Sequence, residues 1–285
     1  MNVVLPEKDK VSKKRIAIYV ILISICVLAL IVAVCVQILG NDFTNSIFGV
    51  STLKSKTEEE EQELRVNFDN LFLNNLQING EMTQDISKID ENQDYVFTKY
   101  STEEKNTGNY ELSINIPYIN IDSEVVNEFN TEIEEIFERK VESILESEDK
   151  NVLFTIEYQA YVENNILSVI IKSNLKQGSA AQQVIVQTYN YDLPNQKEVT
   201  LSDEIELLGL DKNAIQSKIR EEIKQEQQKA EDLQDLGYEI YSRDSKSDMY
   251  DIENSNVFFL HEQNLYIIYP YGNDALTSEM DLVII

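Results

Sequence analysis

Side chains that could take part in metal or nucleophilic chemistry are scarce in this chain, apart from its carboxylates. His261 is the only histidine, and both cysteines, Cys26 and Cys35, lie in an apolar run near the N-terminus. A lone imidazole without external cysteines excludes most zinc sites and cysteine–histidine nucleophiles. The chain also has no G-x-S-x-G nucleophile motif. We therefore interpret His261 as a residue of a hairpin turn.

The 51 aspartates and glutamates leave one catalytic alternative open. Two carboxylates flanking a cleft suffice for glycoside hydrolysis, so counting residues keeps a cell-wall hydrolase as an alternative. The chain contains no tryptophan to stack on a sugar ring. No motif indicates a cofactor, and we predict that the protein is not an enzyme and needs no cofactor.

One acidic segment resembles the start of a calcium-binding loop. Asp90, Asn92 and Asp94 have the spacing of its first ligands, but Tyr95 and Ser101 stand where an EF-hand requires glycine and glutamate. The segment is therefore predicted to be a solvated acidic loop, with weak calcium binding as the open alternative.

A tyrosine-rich segment near the C-terminus is the best candidate for a binding surface. Tyr269, Tyr271, Asn273 and Asp274 surround a proline and a glycine. Tyrosines beside such turn residues are common anchors of protein interfaces. We predict that these four residues contribute to partner binding. The alternative is a turn that only closes the last hairpin.

The charge of the chain is large, negative and unevenly distributed. The total is −27, whereas residues 1–15 carry a net +3. An acidic domain repels phosphate backbones, so nucleic acid is not an expected partner. It attracts cationic proteins instead.

An uncharged run predicts a membrane anchor. Between residues 16 and 36 only Tyr19 and Ser24 are polar, which predicts a transmembrane helix at 16–39. The basic flank places tail 1–15 in the cytoplasm and the C-terminal domain outside the cell. A cleaved signal peptide fits less well because the run is long and no A-x-A site follows it. The cysteine-free outer domain favours a Gram-positive bacterium.

The pattern of elements beyond the anchor predicts an α+β ectodomain of mainly antiparallel sheet with two long packed helices. Thr57 is expected to cap a stalk helix at 58–78, which leads into the domain or self-associates. Asn164 and Asn165 predict a tight turn between strands. The predicted divisions are a linker and stalk at 40–92, a first α+β module at 93–190 and a second at 191–285. The long helices are predicted near 122–147 and 211–236.

Roughly residues 93–285 carry a family resemblance, and its motifs lie in the second half of the chain. Its residues are Tyr191–Leu193 (YDL), Val199–Asp203 (VTLSD), Asn256–Leu260 (NVFFL), Leu265–Gly272 (LYIIYPYG) and Thr277–Ile285 (TSEMDLVII). With the order of elements, they resemble a two-module extracytoplasmic domain of unknown function from Firmicutes. That domain occurs outside the membrane in lysozyme-sensing anti-sigma factors and beside the catalytic domain of peptidoglycan deacetylases.

The resemblance implies the fold and a location facing the cell wall. Neither named activity follows, because a tail of 15 residues is too short for a sigma-binding domain and no deacetylase domain is present. We expect a membrane-anchored binding or sensing protein whose ligand is a wall component or a cationic protein. A cell-wall hydrolase and a structural envelope protein are the alternatives.

Overall fold

The computed structural model describes residues 53, 56–72, 78–80, 82, 86–106, 110–146 and 151–285. The predicted tail at 1–15 and membrane helix at 16–39 lie outside these residues. Within the described part of the chain, no helix is both long enough and apolar enough to cross a membrane. Leu53–Ile285 forms one compact unit.

Five α-helices and ten strands make up the described part. The helices are α1 (Glu58–Val66), α2 (Glu124–Ile133), α3 (Arg139–Glu146), α4 (Leu201–Leu207) and α5 (Lys212–Asp235). The strands are β1 (Ile78–Asn79), β2 (Val96–Asn106), β3 (Tyr110–Ile119), β4 (Val152–Glu163), β5 (Ile166–Gln177), β6 (Gln183–Asp192), β7 (Lys197–Glu198), β8 (Phe258–His261), β9 (Asn264–Pro270) and β10 (Met280–Ile284).

The strands form two sheets. The larger has the order β2-β3-β4-β5-β6-β7, with β1 paired to β4, and the smaller has the order β10-β9-β8. All pairs are antiparallel except β3 with β4 and β1 with β4. The predicted α+β class with mainly antiparallel sheet is therefore confirmed for the described residues. The module boundary at 190/191 stays a prediction.

The first core lies between the large sheet and the helical segment predicted at 122–147. Val126, Phe129, Ile133 and Phe137 share its apolar face and are buried. The segment is helical throughout, and a π-helical turn at Glu134–Glu138 joins α2 to α3. Apolar side chains of alternating strand positions form the other wall of this core, as period-two patterning requires.

Two hairpins have the same kind of tight turn between their strands. Asn164 and Asn165, between β4 and β5, have φ of 52° and 64°. Glu262 and Gln263, between β8 and β9, have φ of 50° and 60°. Two consecutive positive φ values are the signature of a type I′ turn, whose twist matches that of the strands. The predicted Asn164–Asn165 turn is confirmed.

The second core lies between the small sheet and helices α4 and α5. The predicted stripe of Ile215, Ile219 and Ile223 is buried on α5. Asp211 caps this helix by accepting hydrogen bonds from two backbone amides. Gly237 follows its end with φ of +91°, as expected for a residue past a helix C-terminus.

A third apolar cluster joins the two sheets and involves the predicted stalk. Thr57 caps α1 as expected, in a capping box with Glu60. The helix ends at Val66 and is followed by a 3-10 turn, so it is shorter than the predicted 58–78. Phe68 and Phe72 are buried against residues of both sheets. The segment is therefore packed on its own domain and is not a free stalk.

Side chains of the large sheet also satisfy the free edge of the small one. The Phe258 N–H donates to Thr188 Oγ1 at 3.0 Å, and Asn190 Nδ2 donates to the Phe258 carbonyl at 2.9 Å. An edge strand with unpaired backbone groups invites pairing with another chain. Here the side chains of Thr188 and Asn190 on β6 bond to the free backbone groups of the edge strand β8.

Candidate functional site

A row of carboxylates on α2 meets a carboxylate of β7 at the surface. Glu128 and Glu132 are one helical turn apart on the outer side of α2, and Glu198 lies on β7. All three are exposed. Among the described residues none of them forms an ion pair. We call these three residues the Glu132 patch.

Three carboxylates further along the same helical segment, Glu134, Glu135 and Glu138, are paired with cations. Lys99 Nζ lies 2.8 Å from Glu138 and 3.7 Å from Glu134. Arg139 lies 3.4 Å from Glu135. Like charges one turn apart destabilise a helix by a few tenths of a kcal/mol, so such pairing is the usual remedy. The Glu132 patch lacks it.

A buried tyrosine lies beneath the patch. The ring of Tyr189 on β6 packs against Phe129 of α2, with ring centroids 5.2 Å apart. Tyr189 is 4% exposed, and its hydroxyl has no hydrogen-bond partner. Burial raises the pKa of Tyr189, and the nearby Glu132 carboxylate raises it further. A buried hydroxyl without a partner costs free energy and calls for an explanation.

A second unpartnered hydroxyl belongs to Tyr191. This residue is opposite Glu198 in the β6–β7 ladder, so their side chains share a face of the sheet. Tyr191 is also buried and its hydroxyl is unpaired. Two buried tyrosines with unpaired hydroxyls therefore lie on β6, next to the elements that carry the three exposed carboxylates.

The electrostatics of the patch favour a cation. Partial burial raises the pKa of Glu132, and the charges of Glu198, Glu128 and Glu135 raise it further. A positive ligand would relieve this repulsion. Within the described residues, no group of three or more histidine, cysteine or acidic side chains could hold a metal ion.

The structure corrects the exposure expected for the tyrosine-rich segment. Tyr269 and Tyr271 are only 3% and 2% exposed. The Tyr269 hydroxyl bonds to Ser255 at 2.9 Å, and the Tyr271 hydroxyl bonds to Tyr250 at 2.8 Å. They are buried because β9, which carries Tyr269, and the 3-10 turn after it, which carries Tyr271, pack in one apolar cluster with α4 and α5. Neither ring is available at the surface as an interface anchor.

The other two predicted binding residues have separate positions. Asn273 accepts a hydrogen bond from the Val186 N–H at 3.1 Å and donates to the Val186 carbonyl at 3.0 Å. It thereby satisfies the free edge of β6. Asp274 is exposed. Gly272 passes so close to the Val184 carbonyl that a Cβ atom would lie 1.9 Å from that oxygen.

A buried ionic network fixes the polar loop before β8 onto the small sheet. Arg243 Nε donates to Asp281 at 2.7 Å, and Arg243 Nη2 donates to Asp281 at 3.0 Å and to Glu279 at 3.1 Å. The Tyr271 hydroxyl also donates to Asp281. Burial alone would lower the pKa of Arg243, but the bonds to Asp281 raise it. Every charge in this network has a partner.

Glu204 on α4 is in the opposite situation. It is 2% exposed, and neither carboxylate oxygen has a hydrogen-bond partner. Burial raises its pKa to about 7, with further contributions from the charges of Glu163, Asp192 and Asp203. A proton neutralises this carboxylate near neutral pH.

His261 and the acidic loop at 90–94 have structural surroundings. His261 ends β8, and its ring stacks on Tyr161 with centroids 3.9 Å apart. Burial lowers its pKa. Asp90 Oδ1 accepts bonds from the Asn92 backbone and side chain, while buried Asn120 donates to the carbonyls of Asp90 and Asp94. The loop is held by these bonds.

Comparison with known proteins finds similarity only among solved structures. No family model matches the chain, and no curated protein matches it. A DUF3298 family protein from Pseudomonas aeruginosa PAO1 is 12% identical, with a TM-score of 0.39, covering 66% of this chain and 85% of that one. A member of the same family from Bacteroides fragilis NCTC 9343 is 16% identical, with a TM-score of 0.35, covering 61% and 81%.

Neither solved structure bears on the expected likeness to anti-sigma factors or deacetylases. The likenesses are too distant to transfer a role.

The sequence analysis did not identify the residues of the Glu132 patch, because their pattern is that of ordinary surface residues. Glu128 and Glu132 look like the ordinary solvated side of an amphipathic helix. The i, i+4 spacing of uncompensated glutamates was a visible signal. Nothing in the sequence pairs Tyr191 with Glu198, because that contact depends on the short strand β7 folding back on β6.

Proposed function

We propose that this chain is a membrane-anchored binding or sensing protein of a bacterial cell envelope, whose acidic domain binds a cationic protein outside the cell. The observation that carries this proposal is the unpaired Glu132 patch on a chain of net charge −27. Lysines and arginines neutralise some of the other surface carboxylates, such as Glu138 and Glu135. A patch without that neutralisation attracts positive partners and speeds their encounter.

The membrane anchor at 16–39, the extracytoplasmic orientation and the Gram-positive source belong to the same proposal. Their support is the uncharged run with a basic N-terminal flank. The sequence resemblance to the outer region of lysozyme-sensing anti-sigma factors agrees with a cationic ligand. A wall component bound through its amino groups is a variant of this proposal.

The alternative function is a hydrolase that uses carboxylates, and Glu204 is a poor candidate for its general acid. Its raised pKa would suit a general acid, but general acid catalysis requires contact with the substrate. Both Glu204 oxygens are sealed from solvent. Two cavities on the described surface beside α1, of about 320 and 350 Å³, are not lined by this residue.

Self-association through 58–78 stays a prediction, but fewer residues of this segment are exposed for contact with a second copy. Phe68 and Phe72 are used within the chain, so a second copy would have to contact exposed positions such as Val66.

Binding by a fragment that spans residues 53–285 tests the proposed function. The fragment carries every described helix and strand. We expect it to bind lysozyme and lysine-rich peptides, and to lose about tenfold in affinity between about 50 mM and about 300 mM salt. An acidic protein of similar size is the control. Absence of binding to every cationic ligand, or binding that ignores salt, would contradict the proposal.

A further inference from the structure

We propose that the open edge of strand β10 binds an extended segment of a cationic polypeptide, which adds an antiparallel fourth strand to the small sheet. This inference rests on the proposed function, because it names a site and a conformation for the cationic ligand. The ligand that we infer alternates apolar and basic residues along its chain.

The pairing of β10 with β9 leaves one row of backbone groups pointing away from the sheet. The Ile285 N–H donates to the Leu265 carbonyl at 2.9 Å, and the Leu265 N–H donates to the Ile285 carbonyl at 3.2 Å. In an antiparallel pair, such bonded positions alternate with positions whose N–H and C=O groups point outwards. The unbroken register makes Met280, Leu282 and Ile284 the outward positions of β10.

Two other strand edges are closed by side chains, whereas this one is only half closed. Asn273 bonds to both backbone groups of Val186 on β6, and both groups of Phe258 on β8 have side-chain partners. At Leu282, Arg65 Nη1 donates to the carbonyl, which keeps a second lone pair for another donor. Among the described residues, no acceptor outside the β9–β10 ladder meets the Leu282 N–H. The edge can therefore pair with a further strand.

A cavity gives an incoming chain access to this edge. It has a volume of about 320 Å³ and borders residues 280–282, between the end of α1 and α5. Val66 and Phe68 line it, and Val66 is 70% exposed although it is apolar. Glu226 and Lys229 of α5 also line it and are paired at 2.7 Å.

The two faces of β10 define the side chains that suit an added strand. Leu282 and Ile284 lie in the apolar cluster around Phe68, whereas Val283, on the opposite face, packs in a cluster with α5. Residues directly opposite each other in an antiparallel pair share a face. An apolar side chain therefore suits the position opposite Leu282. Basic side chains suit the alternate positions, which face α5 and its Glu226.

Charge decides against a second copy of this chain as the added strand. Two chains that each carry a net charge of −27 repel each other, whereas a basic segment is attracted. Strand β10 itself, with the sequence MDLVI, contains no basic residue. Addition of a strand supplies affinity through main-chain hydrogen bonds, so it operates with any partner of the required pattern.

The first test uses a hexapeptide of alternating lysine and valine as the probe, with the full chain and calorimetry. In antiparallel addition the valine opposite Leu282 directs its N–H and C=O groups to β10, and the lysine N–H groups point away. Backbone N-methylation of the valines should weaken binding at least about tenfold, because main-chain bonds are lost. Backbone N-methylation of the lysines is the matched control and should weaken it less than about threefold.

Equal affinities of the two methylated peptides would overturn strand addition. Binding of hexalysine without binding of the unmodified hexapeptide would overturn it too and leave the proposed function intact. If neither peptide binds, the proposed function fails as well.

The second test changes the cavity without changing the edge. Val66→Lys adds a positive charge where the valines of the probe should pack. Leu207→Lys on α4 makes the same change of charge at an exposed apolar position that lines neither cavity. We expect the first variant to bind the hexapeptide roughly three- to tenfold more weakly and the second less than about twofold. Equal affinities of the two variants would contradict the assignment of this site.

Amide hydrogen exchange, followed by nuclear magnetic resonance, reports the pairing itself. The outward amides of Met280 and Leu282 should exchange at least about tenfold more slowly when the hexapeptide is bound. The amide of Val283, which already bonds within the sheet, should change little. Unchanged exchange at both outward amides of the peptide-saturated chain would overturn the proposal.

Discussion

Two buried acids in the second half of the chain have opposite surroundings. Asp281 on β10 receives hydrogen bonds from Arg243 and from the Tyr271 hydroxyl. Glu204 on α4 receives none, although it is buried at least as deeply. Both carboxylates have lost their hydration, which costs several kcal/mol for an ionised group.

The difference between these regions shows how the chain compensates for a buried charge. At Asp281 a guanidinium group offsets the cost, and the acid holds the loop before β8 in place. At Glu204 the neighbours are Glu163, Asp192 and Asp203, so only a proton can neutralise it. The Glu132 patch is a third case at the surface, where we infer that the neutralising cation comes from a partner. Unpaired acids therefore mark places where the chain depends on its surroundings.

The largest effect on stability is expected when the ionic network of Arg243, Asp281 and Glu279 is broken. Arg243→Met leaves Asp281 and Glu279 without their cation in a buried site. Removing one partner of a buried pair costs about 3–5 kcal/mol of the free energy of unfolding. Denaturation by urea measures the change. Lys224→Met is the control, because its ion pair with Glu221 is exposed and is worth less than about 1 kcal/mol.

A loss below about 1 kcal/mol in Arg243→Met would show that the network contributes little to stability. In that case the contrast with Glu204 would no longer rest on the presence of a partner.

The next effect has the opposite sign and concerns Glu204→Gln. The pKa of Glu204 is about 7 in the folded chain and 4.5 ordinarily, so the folded state prefers the protonated form. The contribution of Glu204 to the free energy of unfolding is most favourable below about pH 4.5, falls as the pH rises from there through 7, and stays at its lowest value above that. The variant should gain roughly 3 kcal/mol at pH 8 and nothing near pH 4.

Thermal unfolding of Glu204→Gln from pH 4 to pH 8 measures this gain. Glu206→Gln on the exposed side of the same helix should behave like the wild-type chain at every pH. Equal stabilities of the Glu204→Gln and wild-type proteins at pH 8 would mean that Glu204 finds a partner in solution.

The sequence predicts the elements of this fold better than its polar contacts. The stripe of Phe129, Ile133 and Phe137 identifies a buried helix face because helical spacing reports burial directly. Asn164 and Asn165 identify a turn because few residues tolerate positive φ. These signals are local and survive without knowledge of the tertiary structure.

The candidate site was not predictable in the same way. Tyr269 and Tyr271 are residue types typical of interface anchors, but the packing of β9 and of the turn after it against two helices buries them. Glu204 looks like an acid in the first turn of a helix, where negative charge is favourable. The charges of Glu163 and Asp192, at the ends of β4 and β6, raise its pKa further, and only the fold brings them near Glu204.

The smallest of the three effects concerns the edge of β6. Asn273→Ala removes the side chain that bonds to the Val186 N–H and to the Val186 carbonyl. The loss of these two bonds should lower the free energy of unfolding by about 1–3 kcal/mol. Asp274→Ala, on an exposed neighbour, should change stability by less than about 0.5 kcal/mol. Binding of lysine-rich peptides by Asn273→Ala should match that of the wild-type chain, because the residue lies away from the Glu132 patch. A loss of binding without a loss of stability would return Asn273 to the role predicted from the sequence.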